Sequence, residues 1–207
     1  MSVNRFAAHF MLSPDGVLVR WPVIAISEEG VIESVECFEQ GFQERPFTRF
    51  FAGILCPAFV DIFSEVSAAE ITGDQFLRNR HFRDGTLILG VNNVEKTFRN
   101  DKKGIPVVMQ GPAECPDGTI QHLLTGGGTI LERMKGQTFS DVPLGEMLLA
   151  ATAGAAKLAG LTRVGRLEPG ANSGLLLLRN VDLVKKQWTP GASVKWLNVP
   201  NEELVRE

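Results

Sequence analysis

A catalytic or metal-binding site in this chain has to be assembled from few residue types. Its 207 residues include three histidines (His9, His81, His122), three cysteines (Cys37, Cys56, Cys115) and no tyrosine. A mechanism needing several imidazoles would use nearly all of them. Neither His-x-His nor Cys-x-x-Cys occurs, so no zinc ribbon or redox dithiol is encoded. The odd, widely spaced cysteines read as reduced thiols. A new metal centre would require His81, His122, Glu65 and Cys115 to converge, with other groups orienting each imidazole. Their spacing does not enforce this, and structural or surface roles are expected. Ser64 and Ser67 lack a Gly-x-Ser-x-Gly elbow. The run Gly126-Gly127-Gly128 precedes a helix candidate, where free backbone N–H groups can meet an anion. It lacks the lysine of a P-loop, and a hinge or linker is the favoured reading. Asp84 and Glu114 stand alone and read as solvated carboxylates. His9 reads as a polar sheet residue.

Composition narrows the class of protein. Hydrophobic residues make up 44% and charged residues 22%, with a net charge of −3. These are values of a globular protein able to bury its own core. The charge balance gives no basis for a nucleic-acid or anionic-membrane partner. The first ten residues lack the basic and apolar regions of a signal peptide, and no apolar run approaches the ~20 residues of a membrane span. A cytoplasmic location is therefore expected.

The elements that must position any site begin with β structure. Phe6, Ala8, Phe10 and Leu12 alternate, and Pro14-Asp15-Gly16 predicts a turn into Val17–Trp21, which Pro22–Ile26 continues. Glu28-Glu29-Gly30 predicts another turn before Val31–Val35, so a small antiparallel sheet is expected. Residues 36–50 show no clear period, and Ile54–Val60 is an apolar run broken by Pro57. One or two helices are expected within residues 65–83. Thr86–Val91 is apolar throughout, the pattern of a strand buried on both faces. Val94 and Phe98 suggest a short helix ending at Lys102-Lys103-Gly104, and Ile105–Met109 a second parallel strand. Thr129–Lys135 predicts a helix. A longer one follows, with Asp141 as its cap, Pro143 in its first turn, and Leu144, Met147, Leu148, Ala151, Ala155 and Leu158 on one face. Leu175–Leu178 and Val194–Val199 return to β.

Three segments, in order, carry a family likeness. Gly53-Ile54-Leu55-Cys56-Pro57-Ala58-Phe59-Val60-Asp61 resembles the strand that leads into the active site of metal-dependent amidohydrolases. There an apolar pair precedes Pro-Gly-Phe-Val-Asp/Asn and then His-x-His. Ala150–Leu161, with Thr152 and Gly160, resembles the late helix of that superfamily. Val164–Leu178 resembles its Gly-x-Leu-x-Pro-Gly-x-x-Ala-Asp-Leu signature, with Gly174 in the usual place of Asp. The nearest likeness is to the cytosine deaminase and aminodeoxyfutalosine deaminase branch, where Arg83–Asn93 resembles the second barrel strand. The resemblance implies a β-sandwich built from both chain ends, residues 1–56 and 161–207, around an α/β barrel portion at 57–160. A complete (β/α)₈ barrel takes roughly 250 residues, so this portion is read as a truncated, incomplete TIM barrel. Open edges and apolar faces on such a remnant predict a homodimer.

Carried across residue by residue, the resemblance places Phe63 and Glu65 at the His-x-His positions, directly after Asp61. Phenylalanine is no ligand, and one carboxylate does not replace several histidines. The family's last barrel strand ends in Gly-Thr-Asp. The local match Ile105–Glu114 puts Gly111 or Pro112 at that aspartate. Asp61, Glu65 and Glu114 are the vestigial-site candidates, and no metal or other cofactor is expected. The expected function is a non-catalytic amidohydrolase-like module that binds a small molecule or a protein. One alternative is an active hydrolase or deaminase of cyclic C–N bonds, which would need zinc or iron or a rebuilt site. Another is a supporting subunit of a full-length paralogue.

Overall fold

A computed structural model describes residues 3–91, 106–110, 120–137 and 141–200. Among the described residues, ten strands fall into two sheets. The larger sheet starts with β1 (Asn4–Leu12), whose alternating apolar residues reach both faces. β2 (Leu18–Arg20) and β3 (Pro22–Ile26) both pair antiparallel with one edge of β1, and a kink at Trp21 separates them. β4 (Ile32–Cys37) follows through the predicted turn at Gly30. β5 (Thr48–Cys56) lies on the other edge of β1 and runs parallel to it, so the sheet is mixed rather than antiparallel as expected.

The C-terminal strands β9 (Leu175–Arg179) and β10 (Ser193–Asn198) complete this sheet through antiparallel β5–β9 and β9–β10 pairs. The strand order is β10-β9-β5-β1-β3-β4, with β2 beside β1. Strands from both ends of the sequence thus share one sheet. The strands of both ends, expected to form a composite β-sandwich, are joined in a single curled sheet. A Cβ on Gly30, in the β3–β4 turn, would lie 3.2 Å from Pro200 Cα just past β10, so the two sides of the sheet approach each other. Phe6, Ile24, Ile26, Leu55, Leu175 and Leu177 pack inside the curl, closed by Leu167 and Ala171. Backbone bonds from Ile32 N–H to Ala171 O (2.9 Å) and from Gly170 N–H to Ile32 O (2.8 Å) fasten that closure.

The second sheet is parallel: β6 (Phe59–Asp61), β7 (Thr86–Val91) and β8 (Val107–Gln110), in that order. All six residues of β7 are buried, as its apolar run predicts. α1 (Ala68–Gly73) and α2 (Gln75–Arg83) connect β6 to β7. Ser67 starts α1 with a capping box to Glu70, and the Asp74 carboxylate caps α2 by accepting from the Phe76 and Leu77 N–H groups. The segment between β7 and β8, with its expected helix, lies outside the described residues. After α3 (Ile120–Leu123), a Thr129 and Glu132 capping box starts α4 (Ile130–Gly136).

The long C-terminal helix runs as α5 (Leu144–Leu149), a π-helical stretch (Ala150–Gly154) and α6 (Ala155–Leu158). Pro143, not Asp141, occupies its N-cap, and no side chain caps it. Its apolar face joins Phe10, Leu12 and Ile54 of the first sheet and Phe59 and Val60 of the second in one core. That core crosses residues 56 and 57 without a break. Among the described residues, no helix is long and apolar enough to cross a membrane.

Candidate functional site

Asp61 closes β6 and carries a fully buried carboxylate. A buried charge requires a partner, and α4 supplies it: the Arg133 guanidinium donates to Asp61 Oδ1 as an ion pair. Arg133 also donates through Nε to Leu124 O (2.6 Å) and through Nη1 to Gly126 O (3.1 Å) and Gly128 O (2.7 Å). The glycine run is thus a carbonyl cradle for a cation, which corrects the hinge or linker reading. Positive φ at Gly126 (144°) and Gly128 (75°) gives the chain the bends that aim those carbonyls.

His81 of α2 faces the other carboxylate oxygen, with Nδ1 3.8 Å from Asp61 Oδ2 and both side chains fully buried. That separation is too long for a hydrogen bond. Among the described residues, Asp61 Oδ2 and both ring nitrogens of His81 have no hydrogen-bond partner. A charged rim surrounds this centre. Thr129 Oγ1 donates to Asp84 Oδ2 at 2.9 Å, and Arg80 pairs with Glu132 at 2.5 Å. Asp84 is therefore engaged and mostly buried, which corrects its reading as an isolated, solvated carboxylate.

Burial pushes the Asp61 carboxyl up to about 6, against the pull of the Arg133 charge. Burial pushes the His81 imidazole down to about 4, and the Arg133 charge adds to the effect. The two groups bear oppositely on stability. The folded chain holds the Asp61 proton more tightly than the unfolded chain does, so this contribution is lost as pH rises from 3.8 to about 6. His81 takes up its proton more readily in the unfolded chain, so its contribution grows as pH rises from about 4 to 6.5. The slopes oppose and largely cancel. Urea midpoints should then be nearly flat in pH for the native chain, fall from pH 4 to 6 in His81→Gln, and rise over that window in Asp61→Asn. Parallel pH profiles for all three proteins would refute the assignment.

The remaining sequence candidates disperse. Phe63 is buried in the apolar core, and Glu65 beside it is exposed. The backbone here runs parallel to Gly126: Gly126 N–H donates to Phe63 O (3.3 Å) and Glu65 N–H to Gly126 O (3.2 Å). Glu114, Cys115, Gly111 and Pro112 lie outside the described residues. Of His81, His122, Glu65 and Cys115, which are not expected to converge, Cys115 lies outside the described residues, His122 is exposed on α3 and His81 is buried. Among the described residues no three His, Cys, Asp or Glu side chains gather as a metal would require. His9 is half-buried, with Nδ1 accepting from Gly53 N–H at 3.3 Å, a structural contact as expected of a sheet residue. β8 lies against β7 and is two strands from β6, and the segment through Gly126 meets the chain just after β6.

Sequence reasoning missed Arg133. The signal was present: Ile130, Leu131 and Met134 form the buried stripe of α4, and Arg133 sits one turn after Ile130 at its margin. A buried aspartate elsewhere in the chain is the partner such a cation needs.

No family model and no curated protein matches the chain. Solved structures do. N-acetyl-D-glucosamine-6-phosphate deacetylase from Mycobacterium smegmatis is 15% identical, with 42% of this chain and 24% of that one covered, at a TM-score of 0.33. An amidohydrolase from Brucella melitensis is 23% identical, with 38% and 15% covered, at 0.26. A zinc-bound adenosine deaminase from Xanthomonas campestris is 14% identical, with 44% and 29% covered, at 0.29. The matched part of each is under a third of its length, and likeness at this level bears on neither site nor activity.

Proposed function

We propose that this chain is a non-catalytic, amidohydrolase-like protein whose retained framework serves binding rather than hydrolysis. The observation that carries the reading is the fate of the positions after Asp61. Phe63 lies in the apolar core, Glu65 turns to solvent, and Asp61 itself is spent on Arg133. A carboxylate with no exposed surface, already holding a guanidinium, is poorly placed to ligate a metal or take a proton from substrate. In this reading the three parallel strands are what remains of the barrel. The segment beside β6 then stands where the last barrel strand would close on the first, and it carries Thr125-Gly126-Gly127, without a carboxylate. The family link itself rests on the three sequence motifs, and fold-level likeness alone does not carry function.

A turnover screen tests the reading. Cyclic amides, cyclic ureas and aminopurine nucleosides should be recovered unchanged after incubation with the full chain, with or without added zinc. Hydrolysis or deamination that Glu65→Gln diminishes would overturn it.

A further inference from the structure

A groove of about 320 Å³ opens on the curled sheet, and none of the residues around Asp61 contributes to it. This is the lower end of the range for small-molecule pockets, roughly 300–1,000 Å³. Phe10 of β1 lines it from within the core, beside His9; Arg20 and Trp21 enter from β2 and the kink after it. Leu183, Val184 and Lys186 come from the turn between β9 and β10. That turn is fixed. Asp182 and Gln187 exchange backbone hydrogen bonds of 3.0 and 3.2 Å, and the Asp182 carboxylate accepts from the Val184 and Lys185 N–H groups.

Three observations together point to a ligand. The Arg20 guanidinium carbon lies 5.8 Å, and Lys186 Nζ 5.6 Å, from the centroid of the same Phe10 ring. Among the described residues neither cation has a carboxylate partner, so two like charges approach one aromatic ring with no anion beside them. Second, Trp21 (φ 53°) and Lys186 (φ 54°) both hold the left-handed backbone that non-glycine residues avoid. Such strain collects at ligand clamps and persists because the surrounding structure enforces it. Third, His9 uses Nδ1 to accept from Gly53 N–H, so its neutral ring carries the proton on Nε2 as a donor. Its ring also packs edge-on against Phe50 (centroids 5.3 Å apart) and tilted against Trp21 (6.0 Å).

We infer that this groove binds a small carboxylate with a flat aromatic body, its ring against Phe10 and Trp21 and its carboxylate between Arg20 and Lys186. Charge complementarity selects the anion, because a guanidinium and an ammonium both donate strongly to carboxylate oxygens. The aromatic lining selects the body. The inference does not rest on the loss of catalysis, since binding here is read out whether or not the Asp61 region turns over a substrate.

The test is a calorimetric and saturation-transfer NMR titration of the full chain with naphthalene-2-carboxylate. Naphthalene-2-carboxamide serves as the neutral comparator and acetate as the charge-only one. The carboxylate should bind saturably and the carboxamide about tenfold more weakly or worse, as expected for losing a charge-assisted bond. Acetate should not bind measurably. Arg20→Gln and Lys186→Asn each remove a charge from an exposed side chain. Asparagine also tolerates the backbone at 186. Each should weaken the carboxylate by about tenfold and leave the carboxamide unchanged. Lys195→Gln, whose cation lies over Phe51 instead, should match the native chain. Equal affinity for carboxylate and carboxamide, native affinity in both groove variants, or no saturable binding would each overturn the inference.

Discussion

Arg133→Met should cost about 3–5 kcal/mol of folding stability, the range for removing one partner of a buried ion pair. The size follows from what is abandoned. Asp61 is fully buried and the Arg133 side chain is 8% exposed, so little water can replace the guanidinium. The carbonyls of Leu124 and Gly128 lose the Arg133 donor as well, and Gly126 O keeps only the Glu65 N–H. The penalty should shrink as pH falls towards about 6 and level off below it, because without the Arg133 charge the Asp61 carboxyl is pushed up further and takes its proton at a higher pH than in the native chain. Replacing both partners, as Asp61→Leu with Arg133→Met, should restore part of the loss, because two apolar groups leave no buried charge unpaired. Urea unfolding with an unchanged m-value reads all of this. A double variant no more stable than Arg133→Met would show that the pair is not the dominant contact.

Gly145→Ala should destabilise the chain by about 1–3 kcal/mol, the usual cost of overpacking. The sign makes this informative. Alanine in place of glycine inside a helix ordinarily adds about 1 kcal/mol of stability. Here a Cβ would lie 2.1 Å from Gly16 O, a backbone atom of the β1–β2 turn. Helix and turn would have to separate, and the core that α5 shares with both sheets would loosen. Gly136→Ala is the matched control. It ends α4 with nothing within 4 Å of its Cβ, so the same replacement should be neutral or mildly stabilising. Calorimetric melting compares the two, and a Gly145→Ala protein as stable as the native chain would mean that the helix does not press on that turn.

Features carried by local pattern were legible in the sequence. The unbroken apolar run Thr86–Val91 is a strand buried on both sides, and Thr129 with Glu132 writes its capping box three residues apart. The parallel pairing of β7 with β8 was legible from the strand-helix-strand order, but other pairings were not. The parallel contact of β1 with β5 and the Gly126 segment beside β6 depend on which strand lies next to which. A short apolar run carries no information about its neighbour. The Asp61–Arg133 pair spans 72 residues of sequence, and Asp61 sits inside a motif whose resemblance draws attention forward to Phe63 and Glu65. The groove over Phe10 escaped for the same reason, since Arg20 and Lys186 meet only once both ends of the chain join one sheet.

These features support one account. In the proposed reading the chain keeps sequence motifs like those of metal-dependent hydrolases, while Phe63, buried in the core, and Glu65, exposed, stand at the His-x-His positions and Asp61 just before them is paired with Arg133. Elemental analysis of the full chain, purified without chelator and quantified per polypeptide, tests this most directly. The account predicts zinc and iron far below one equivalent, unchanged in Glu65→Gln. Near-stoichiometric metal that Glu65→Gln or Asp61→Asn removes would contradict it.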